Sequence, residues 1–337
     1  MKAIGYRTAG PIGAADSLED MELPMPQPAP RDLRVAVKAV SVNPADAVLR
    51  AKVSPPTGEA GILGFDAAGV VDAVGTDVTL FKPGDEVFYA GSMDRPGTNS
   101  EFHLVDERIA GRKPATLNFA QAAAIPLTSI TAWELLFDRL AVPYGVKSQS
   151  GALLIINGAG GVGSMLTQIA RRLTGLVVIA TASRPETVAW CRKMGAHHVI
   201  DHHRPFAEGL EQQGIAQIDY VAGLTATDKH LAGIEAVLAP QGKLALIDDP
   251  AVLDIVRLKR KSISVHWELM FTRPLYQTED MIAQHRLLNE VADLVDAGVL
   301  RTTLTTDAGA INAGNLKRVH ALIESGRAIG KTVLTGF

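Results

Sequence analysis

The stretch of sequence that decides the fold is residues 152–163, ALLIINGAGGVG, where an apolar run leads directly into three spaced glycines. Helix-forming residues follow. A strand, a glycine-rich turn and a helix in this order predict an anion site, because free N–H groups and the positive end of the helix dipole stabilise a phosphate. Gly158 permits the turn, Gly160 lets the backbone approach a pyrophosphate, and Gly163 allows close packing of helix on strand. The candidate dinucleotide-binding residues are Gly158, Ala159, Gly160, Gly161, Val162 and Gly163.

The end of the next predicted strand indicates which dinucleotide binds. Roughly 20 residues beyond the glycines, an NAD site places a carboxylate that accepts a hydrogen bond from the ribose 2′-OH. Here the strand is followed by residues 181–184, TASR, which contain no carboxylate. A hydroxyl and a guanidinium suit a 2′-phosphate, so Ser183 and Arg184 predict NADPH in preference to NADH. The alternative is that Arg184 is an ordinary solvated arginine.

Strand and helix signals alternate around this turn. Helix-length amphipathic segments separate five apolar, strand-like runs, at 153–156, 177–180, 199–200, 220–222 and 244–247. Parallel strands joined by helices close right-handed and are covered on both faces. Residues 126–269 are therefore predicted to form a doubly wound, parallel α/β sheet of the Rossmann type.

The rest of the chain follows a different pattern. Within residues 1–125, apolar and polar residues alternate at 33–37, and turn-forming residues recur, as at 82–85. This pattern predicts a compact, mostly antiparallel β unit. The tail, 270–337, ends in the strand-like run 331–334, and we expect it to complete this first domain.

Composition restricts the class of partner. A chain of 337 residues exceeds what one hydrophobic core usually supports, so two domains sharing a cleft are expected. The formal net charge of −3 gives no broad basic field, so we expect a small-molecule partner and neither nucleic acid nor a membrane surface. A single cysteine excludes an intrachain disulfide, and no apolar run approaches the roughly 20 residues of a membrane span. These features indicate a cytoplasmic protein.

Four histidines lie close together in residues 196–203, AHHVIDHH. The predicted strand at 199–200 turns alternate histidines to opposite faces, so they do not all converge on one metal ion. Three interpretations stay open: a metal site, a histidine such as His202 flanking an adenine, and ordinary solvated histidines. The last is favoured and the first is disfavoured.

Six segments together resemble a known family; they are 42–46, 64–70, 82–87, 126–133, 157–163 and 326–334. The chain resembles zinc-lacking members of the medium-chain dehydrogenase/reductase superfamily, close to the NADPH quinone oxidoreductases, and the resemblance covers nearly the whole sequence. It implies a GroES-like, mostly antiparallel catalytic domain beside the Rossmann domain, and a homodimer. The subgroup most resembled is often labelled zinc-type alcohol dehydrogenase-like.

The residues argue against zinc. In zinc-dependent relatives a Cys, a His and a second Cys hold the catalytic metal, at the positions similar to Asn43, Phe65 and Leu127. An amide and two hydrocarbons cannot replace thiolate and imidazole ligands. Ala45 stands at the position of the hydroxyl proton relay, and one cysteine cannot supply the four ligands of a structural zinc. We predict no metal site.

The remaining chemistry is hydride delivery from a nicotinamide to an electron-poor carbon. Quinones and enones suit it, because their conjugated oxygen spreads the developing charge and modest neutral donors can replace a Lewis acid. The candidate catalytic residues implied by the resemblance are Asn43, Asp46 and Thr131. The Asn43 amide either donates to the substrate oxygen or shapes the turn before Pro44. Thr131 would fix the nicotinamide carboxamide.

Two further expectations concern neighbouring residues. Asp46 and Arg50 match the family pattern at the cleft, with a structural ion pair favoured as their role. Val48 stands where many quinone reductases have a tyrosine, which puts the substrate range in doubt. Trp267, Met270 and Phe271 line an apolar substrate wall or simply pack in a core or interface.

Two other functions remain possible from the sequence. An NADPH-binding sensor or lens-type structural protein would carry the same glycine loop, and would bind NADPH tightly without an acceptor. A zinc alcohol dehydrogenase would contain stoichiometric metal and oxidise alcohols in a chelator-sensitive way.

Overall fold

The computed structural model describes residues 1–148 and 150–337. The chain divides into two compact units. Unit 1 comprises Met1–Ile130 and Phe271–Phe337, and unit 2 comprises Thr131–Met270. Unit 1 is thus assembled from the two ends of the chain, with unit 2 inserted between them.

The described residues form sixteen strands, which in chain order are β1 (Lys2–Tyr6), β2 (Glu19–Glu22), β3 (Asp32–Ser41), β4 (Gly61–Ile62), β5 (Asp66–Val74), β6 (Glu86–Tyr89), β7 (Phe102–Asp106), β8 (Ala110–Arg112), β9 (Ala152–Ile156), β10 (Val177–Thr181), β11 (His198–Ile200), β12 (Ile218–Gly223), β13 (Leu238–Leu246), β14 (Ser264–Trp267), β15 (Leu304–Asp307) and β16 (Lys331–Thr335). The α-helices are α1 (Pro44–Lys52), α2 (Phe119–Ala123), α3 (Pro126–Trp133), α4 (Gly161–Leu173), α5 (Pro185–Met194), α6 (Phe206–Glu211), α7 (Thr227–Val237), α8 (Thr272–Tyr276), α9 (Ala283–Asp296) and α10 (Ala313–Glu324). A π-helix follows α3 at Glu134–Arg139, and 3-10 helices lie at Glu107–Ile109 and Ile255–Lys261. In the described part of the chain, no helix is long and apolar enough to cross a membrane.

Unit 2 is built on a six-stranded sheet in the order β11-β10-β9-β12-β13-β14, and every neighbouring pair is parallel. Counted along the chain within the unit, this order is third, second, first, fourth, fifth and sixth. The first strand, β9, is central, and all five of its residues are buried because it lies in the middle of a sheet covered on both faces. The predicted doubly wound Rossmann sheet is confirmed.

Unit 1 contains a seven-stranded sheet whose main path is β15-β16-β3-β5-β6-β8, with β7 also paired to β3. Strand pairs in it are antiparallel except β15 with β16. A second sheet has the order β2-β1-β4. The tail joins through β16, which pairs with β3 so that Val333 lies opposite Ser41. The predicted mostly antiparallel, GroES-like architecture is confirmed.

One buried histidine in unit 1 makes the stability of the fold depend on pH. His320, on α10, is buried, and neither ring nitrogen has a hydrogen-bond partner within the described residues. Burial, aided by the positive charge of Arg50, lowers the pKa of His320 to about 4. In the unfolded chain the pKa of a histidine is roughly 6.5. The stability that neutral His320 contributes is therefore present above about pH 6.5 and is lost as the pH falls towards 4.

We expect His320→Leu to reduce the loss of stability between pH 7 and pH 5, because leucine has no proton to bind. The effect should be on the order of 2 kcal/mol. Thermal unfolding followed by circular dichroism at both pH values measures it. His203→Leu, at an exposed histidine, is the matched control and should keep the wild-type dependence. An unchanged pH dependence in His320→Leu would contradict this assignment.

Candidate functional site

The glycine turn joins the central strand β9 to α4 in unit 2. Its left-handed residue is Asn157, with φ of 65°, and not one of the glycines. The turn is tied to the neighbouring strand, because the Asn157 N–H donates to Thr181 Oγ1 at 3.0 Å and the Gly158 N–H donates to the Thr181 carbonyl at 3.1 Å. Gly160 is the N-cap of α4, so the first N–H groups of the helix, which have no partner inside a helix, lie beside it.

The glycines of the turn lack side chains for different reasons. A Cβ on Gly163 would lie 2.4 Å from the Asn157 carbonyl oxygen, and one on Gly158 would lie 2.6 Å from Ala180 Cβ. Packing inside the protein therefore excludes a side chain at both positions. At Gly160 the nearest atom would be Asn157 Nδ2 at 3.2 Å, and φ is −69°, an ordinary value. The protein itself does not require glycine there, which fits a position kept open for a bound group.

A further contact stiffens the same turn. Ser164, in the first turn of α4, donates through Oγ to the Gly160 carbonyl at 2.6 Å and accepts from Trp190 Nε1 at 2.8 Å. Trp190 belongs to α5, so the glycine turn is held from the neighbouring helix as well as from the neighbouring strand. Sequence reasoning did not identify this contact.

Ser183 and Arg184 lie immediately after β10, and both are partly exposed. Arg184 precedes α5; its N–H donates to Thr187 Oγ1 at 3.2 Å, which fixes the backbone at the start of the helix. Its guanidinium Nε lies 3.4 Å from Glu186 Oε1, and the arginine side chain is 36% exposed. A surface ion pair of this kind contributes little to stability.

The histidine tract places His202 just beyond β11, where burial lowers the pKa of its ring. Its ring centroid lies 4.5 Å from that of His203 and 6.3 Å from that of His230. His197 accepts from the Val178 N–H through Nδ1 at 2.9 Å. Across the described residues, no group of three or more His, Cys, Asp or Glu side chains is arranged to hold a metal ion.

Topology brings the candidate coenzyme residues to one edge of the sheet in unit 2. β9, β10 and β11 are adjacent and parallel, so their carboxyl ends lie side by side. The glycine turn follows β9, Ser183 and Arg184 follow β10, and His202 follows β11. In open parallel sheets this edge, where the strand order reverses, is the place where ligands bind.

In unit 1 the position that holds a metal ligand in zinc-dependent relatives is occupied by a buried amide. Asn43 Nδ2 donates to Asp66 Oδ2 at 2.9 Å, and its second contact is a long one of 3.4 Å to the Ser41 carbonyl. Asn43 Oδ1 accepts from Lys331 Nζ at 2.5 Å. Both ends of the amide are engaged and the residue is buried, which favours a role in shaping the turn over donation to a substrate.

The predicted ion pair between Asp46 and Arg50 is wrong. Asp46 Oδ2 accepts the Asn43 N–H at 2.8 Å, and Oδ1 accepts the Gly64 N–H at 2.9 Å. Arg50 instead forms an ion pair with Glu324 of α10. The physical reason is that Asp46 is the third residue of α1 and turns back to cap its start, away from the next helical turn. Burial raises the pKa of Asp46 to about 7, although both N–H groups and the Lys331 charge lower it.

The residues at the other two ligand positions are also unsuited to zinc. Phe65 packs against Phe271 with ring centroids 4.7 Å apart. Leu127 offers only its backbone, whose N–H donates to Asp66 Oδ1 at 2.7 Å. Structural and catalytic zinc sites need N, S or O ligands in a tetrahedral arrangement, and these two hydrocarbon side chains supply none. At the third position, the Asn43 amide is already hydrogen-bonded to Asp66 and Lys331.

The remaining candidates differ in exposure. Thr131 is buried in α3, and Val48 is exposed on α1. Met270 and Phe271 are buried, whereas Trp267 is largely exposed. Of the two interpretations left open by the sequence, burial favours core packing for Met270 and Phe271, whereas Trp267 lies exposed on β14, the edge strand of its sheet.

Comparisons with known proteins agree with this architecture. The model of the alcohol dehydrogenase GroES-like domain matches residues 29–125, and that of the zinc-binding dehydrogenase matches 194–334. A zinc-type alcohol dehydrogenase-like protein of Staphylococcus aureus is 39% identical over 99% of both chains. The quinone oxidoreductase of Pseudomonas aeruginosa is 30% identical over 96% of both chains. A crystal structure from Rhizobium etli, provisionally described as a zinc-dependent alcohol dehydrogenase, is 59% identical with a TM-score of 0.96, covering 100% of this chain and 98% of that one.

The chain belongs to the medium-chain dehydrogenase/reductase superfamily. It falls in the quinone oxidoreductase-like branch, as the sequence motifs predicted. It is accordingly a member of an oxidoreductase family. Several relatives have the word zinc in their names, but in this chain Asn43, Phe65 and Leu127 do not supply the side-chain ligands that zinc requires.

The contrast between the glycines is testable in the absence of any ligand. Gly163→Ala should lower the free energy of unfolding by about 1 to 3 kcal/mol, since its Cβ would overlap the Asn157 carbonyl. Gly160→Ala should cost less than about 1 kcal/mol, the scale of a changed N-cap. Urea unfolding of both variants measures the two values, and an equal loss would show that packing alone explains Gly160.

Proposed function

We propose that this protein is an NADPH-dependent, zinc-independent reductase that transfers hydride to quinones or other α,β-unsaturated carbonyl compounds. The observation that carries the proposal is the shared sheet edge of unit 2, where the glycine turn is followed on the neighbouring strand by Ser183 and Arg184 in place of a carboxylate. A carboxylate there would repel a 2′-phosphate, whereas a hydroxyl and a guanidinium stabilise it.

The residues of unit 2 fit the coenzyme. The open position at Gly160 and the N–H groups at the start of α4 suit a pyrophosphate, which needs close backbone approach and no basic side chain. Ser183 and Arg184 would hold the 2′-phosphate, His202 would flank the adenine, and Thr131 would fix the carboxamide. When bound, NADPH supplies a hydride, and the protein's task is to orient the reactants and exclude competing reactions.

The proposed substrate class follows from what the residues at the former metal positions can do. Phe65 and Leu127 offer no group that could polarise an isolated carbonyl, and the Asn43 amide is already bound to Asp66 and Lys331. In a quinone or enone the negative charge that develops on oxygen is delocalised, so the reaction needs less help from the protein. The proton that completes the reduction would come from water.

An acceptor screen tests the activity. NADPH oxidation at 340 nm should be seen with 1,4-benzoquinone or a simple enone, should be much slower with NADH, and should be unaffected by EDTA. Ethanol with NADP⁺ should give no turnover. Tight NADPH binding without any acceptor would instead indicate a non-catalytic sensor, and chelator-sensitive alcohol oxidation with stoichiometric zinc would indicate an alcohol dehydrogenase.

Arg184 provides the sharpest variant in this assay. Arg184→Ala should raise KM for NADPH by roughly 10- to 100-fold, the worth of one charge-assisted hydrogen bond, with little change for NADH. Arg192→Ala, at an exposed arginine of the same helix, is the control and should leave both KM values unchanged. If Arg184→Ala raised KM equally for NADPH and NADH, Arg184 would not be binding the 2′-phosphate.

We also propose that the chain forms a homodimer through the edge of the sheet in unit 2. β14 is an edge strand, and an open edge offers unpaired N–H and C=O groups to another chain. Apolar side chains on this strand and in the segment that precedes it along the chain are strongly exposed, with Val252 77%, Val256 73% and Trp267 55% exposed. Large apolar side chains left exposed to solvent are typical of an association surface.

Trp267→Glu combined with Val256→Glu should convert the protein to a monomer, because it places charges on the proposed apolar surface. Size-exclusion chromatography with light scattering measures the mass. Met25→Glu, at an exposed methionine of unit 1, is the matched control and should remain dimeric. A wild-type mass of one chain would refute the proposed dimer directly.

A further inference from the structure

Two buried aspartates join the three segments of unit 1 that carry the metal ligands in zinc-dependent relatives. Asp46 accepts backbone N–H groups from Asn43 at 2.8 Å and from Gly64 at 2.9 Å. Asp66 accepts the N–H of Leu127 at 2.7 Å. A bound metal would join these segments through its ligands, and here carboxylates make the connections with hydrogen bonds.

Asp66 is the centre of this arrangement. Its side chain is completely buried. Besides the Leu127 N–H on Oδ1, its Oδ2 accepts from Ser41 Oγ, Asn43 Nδ2 and Lys331 Nζ, each at 2.9 Å. A buried carboxylate is costly unless it is both paired and hydrogen-bonded, so the arrangement depends on all of these donors.

Among the residues that the structure describes, Lys331 is the only cation that forms an ion pair with this carboxylate. Its side chain is 4% exposed. The ammonium has three hydrogens and meets three acceptors: the Val42 carbonyl at 3.1 Å, Asn43 Oδ1 at 2.5 Å and Asp66 Oδ2 at 2.9 Å. Because β16 runs antiparallel to β3 with Val333 opposite Ser41, the register of the sheet places Lys331 beside Asn43.

The charges also determine which way the Asn43 amide points. An ammonium can only donate and a carboxylate can only accept, so Oδ1 must face Lys331 and Nδ2 must face Asp66. Reversing the amide would set its N–H groups against the ammonium and its oxygen against the carboxylate. The pair therefore holds the segment that begins α1 in a single arrangement.

We propose that Lys331 is a positioning residue: with Asp66 it forms a metal-free cross-link that holds the segments around Asn43, Gly64 and Leu127 in the geometry needed for turnover. This inference rests on the proposed reductase function for its effect on rate. Its structural half, the cross-link itself, can be tested without any activity. The cross-link lies wholly in unit 1, whereas the proposed coenzyme residues lie in unit 2.

The test compares Lys331→Met with Lys113→Met. Lys113 is a matched control, because it is also a buried lysine of unit 1 that contacts one carboxylate, Glu86 at 3.1 Å, and two carbonyls, those of Pro114 and Leu117. Hydrogen exchange measured by mass spectrometry should speed up in peptides covering 42–46, 64–66 and 126–128 in Lys331→Met and not in Lys113→Met. Equal exchange of these peptides in the two variants would overturn the cross-link.

Kinetics tests the positioning role. Lys331→Met should lower kcat with a quinone acceptor by about tenfold to a hundredfold, the scale of a small misplacement of reacting groups, while the Kd of NADPH stays within twofold. A kcat equal to that of Lys113→Met, or an NADPH Kd that weakens in parallel, would overturn the role. If the wild type itself shows no turnover, the proposed function fails, and the exchange data still decide on the cross-link.

Chemical rescue separates the lost charge from a disturbed fold. Lys331→Ala leaves a space that methylammonium can occupy, so adding it at millimolar concentration should restore kcat and slow the exchange at 42–46. The same salt should not rescue Lys331→Met, whose side chain fills that space. Lys331→Ala that has a wild-type Tm yet is not rescued would contradict the requirement for a cation at this point.

Discussion

The close approach of α4 to β9 is the constraint on which the coenzyme half of the molecule depends. Gly163 and Gly158 leave no room for a Cβ, so the helix begins directly over the end of the central strand. This places the N–H groups at the start of α4 at the carboxyl edge of the sheet, where β10 and β11 also end. A helix start, a strand end that lacks a carboxylate and a histidine turn thus share one edge because three strands are parallel and adjacent.

Unit 1 is organised by a different requirement, the pairing of buried charge. Asp66 and Lys331 are both buried, and removing either would leave the other as an unpaired buried charge, which is strongly destabilising. Satisfying them recruits Ser41, Asn43 and the backbone of Leu127, so that strands β3 and β16 and the start of α3 meet at one carboxylate. The thiolate and imidazole ligands that hold the metal in zinc-dependent relatives are missing from these segments. Here the segments are joined by hydrogen bonds instead.

Most features that were read correctly from the sequence are local. The strand, turn and helix of 152–173 are contiguous, and the missing carboxylate at 181–184 is visible by inspection, because each depends on residues a few positions apart. Within the turn, the sequence did not show which residue adopts the left-handed conformation. The left-handed residue is Asn157, and the sequence pattern, which emphasises glycines, did not point to it. The role of Gly158 as a packing contact with Ala180 likewise required the position of the neighbouring strand.

By itself, the amino-acid sequence determined the parallel and antiparallel halves of the fold, the dinucleotide motif, the family and the lack of zinc ligands, since all of these are recorded in residue types and short spacings. Only the tertiary structure decided the partners of buried charge. Asp46 caps its own helix and Arg50 pairs with Glu324, 274 residues away, while Lys331 meets Asn43 across 288 residues. A long charged side chain can reach many partners, and the register of β3 with β16 and the packing of α1 on α10 select among them.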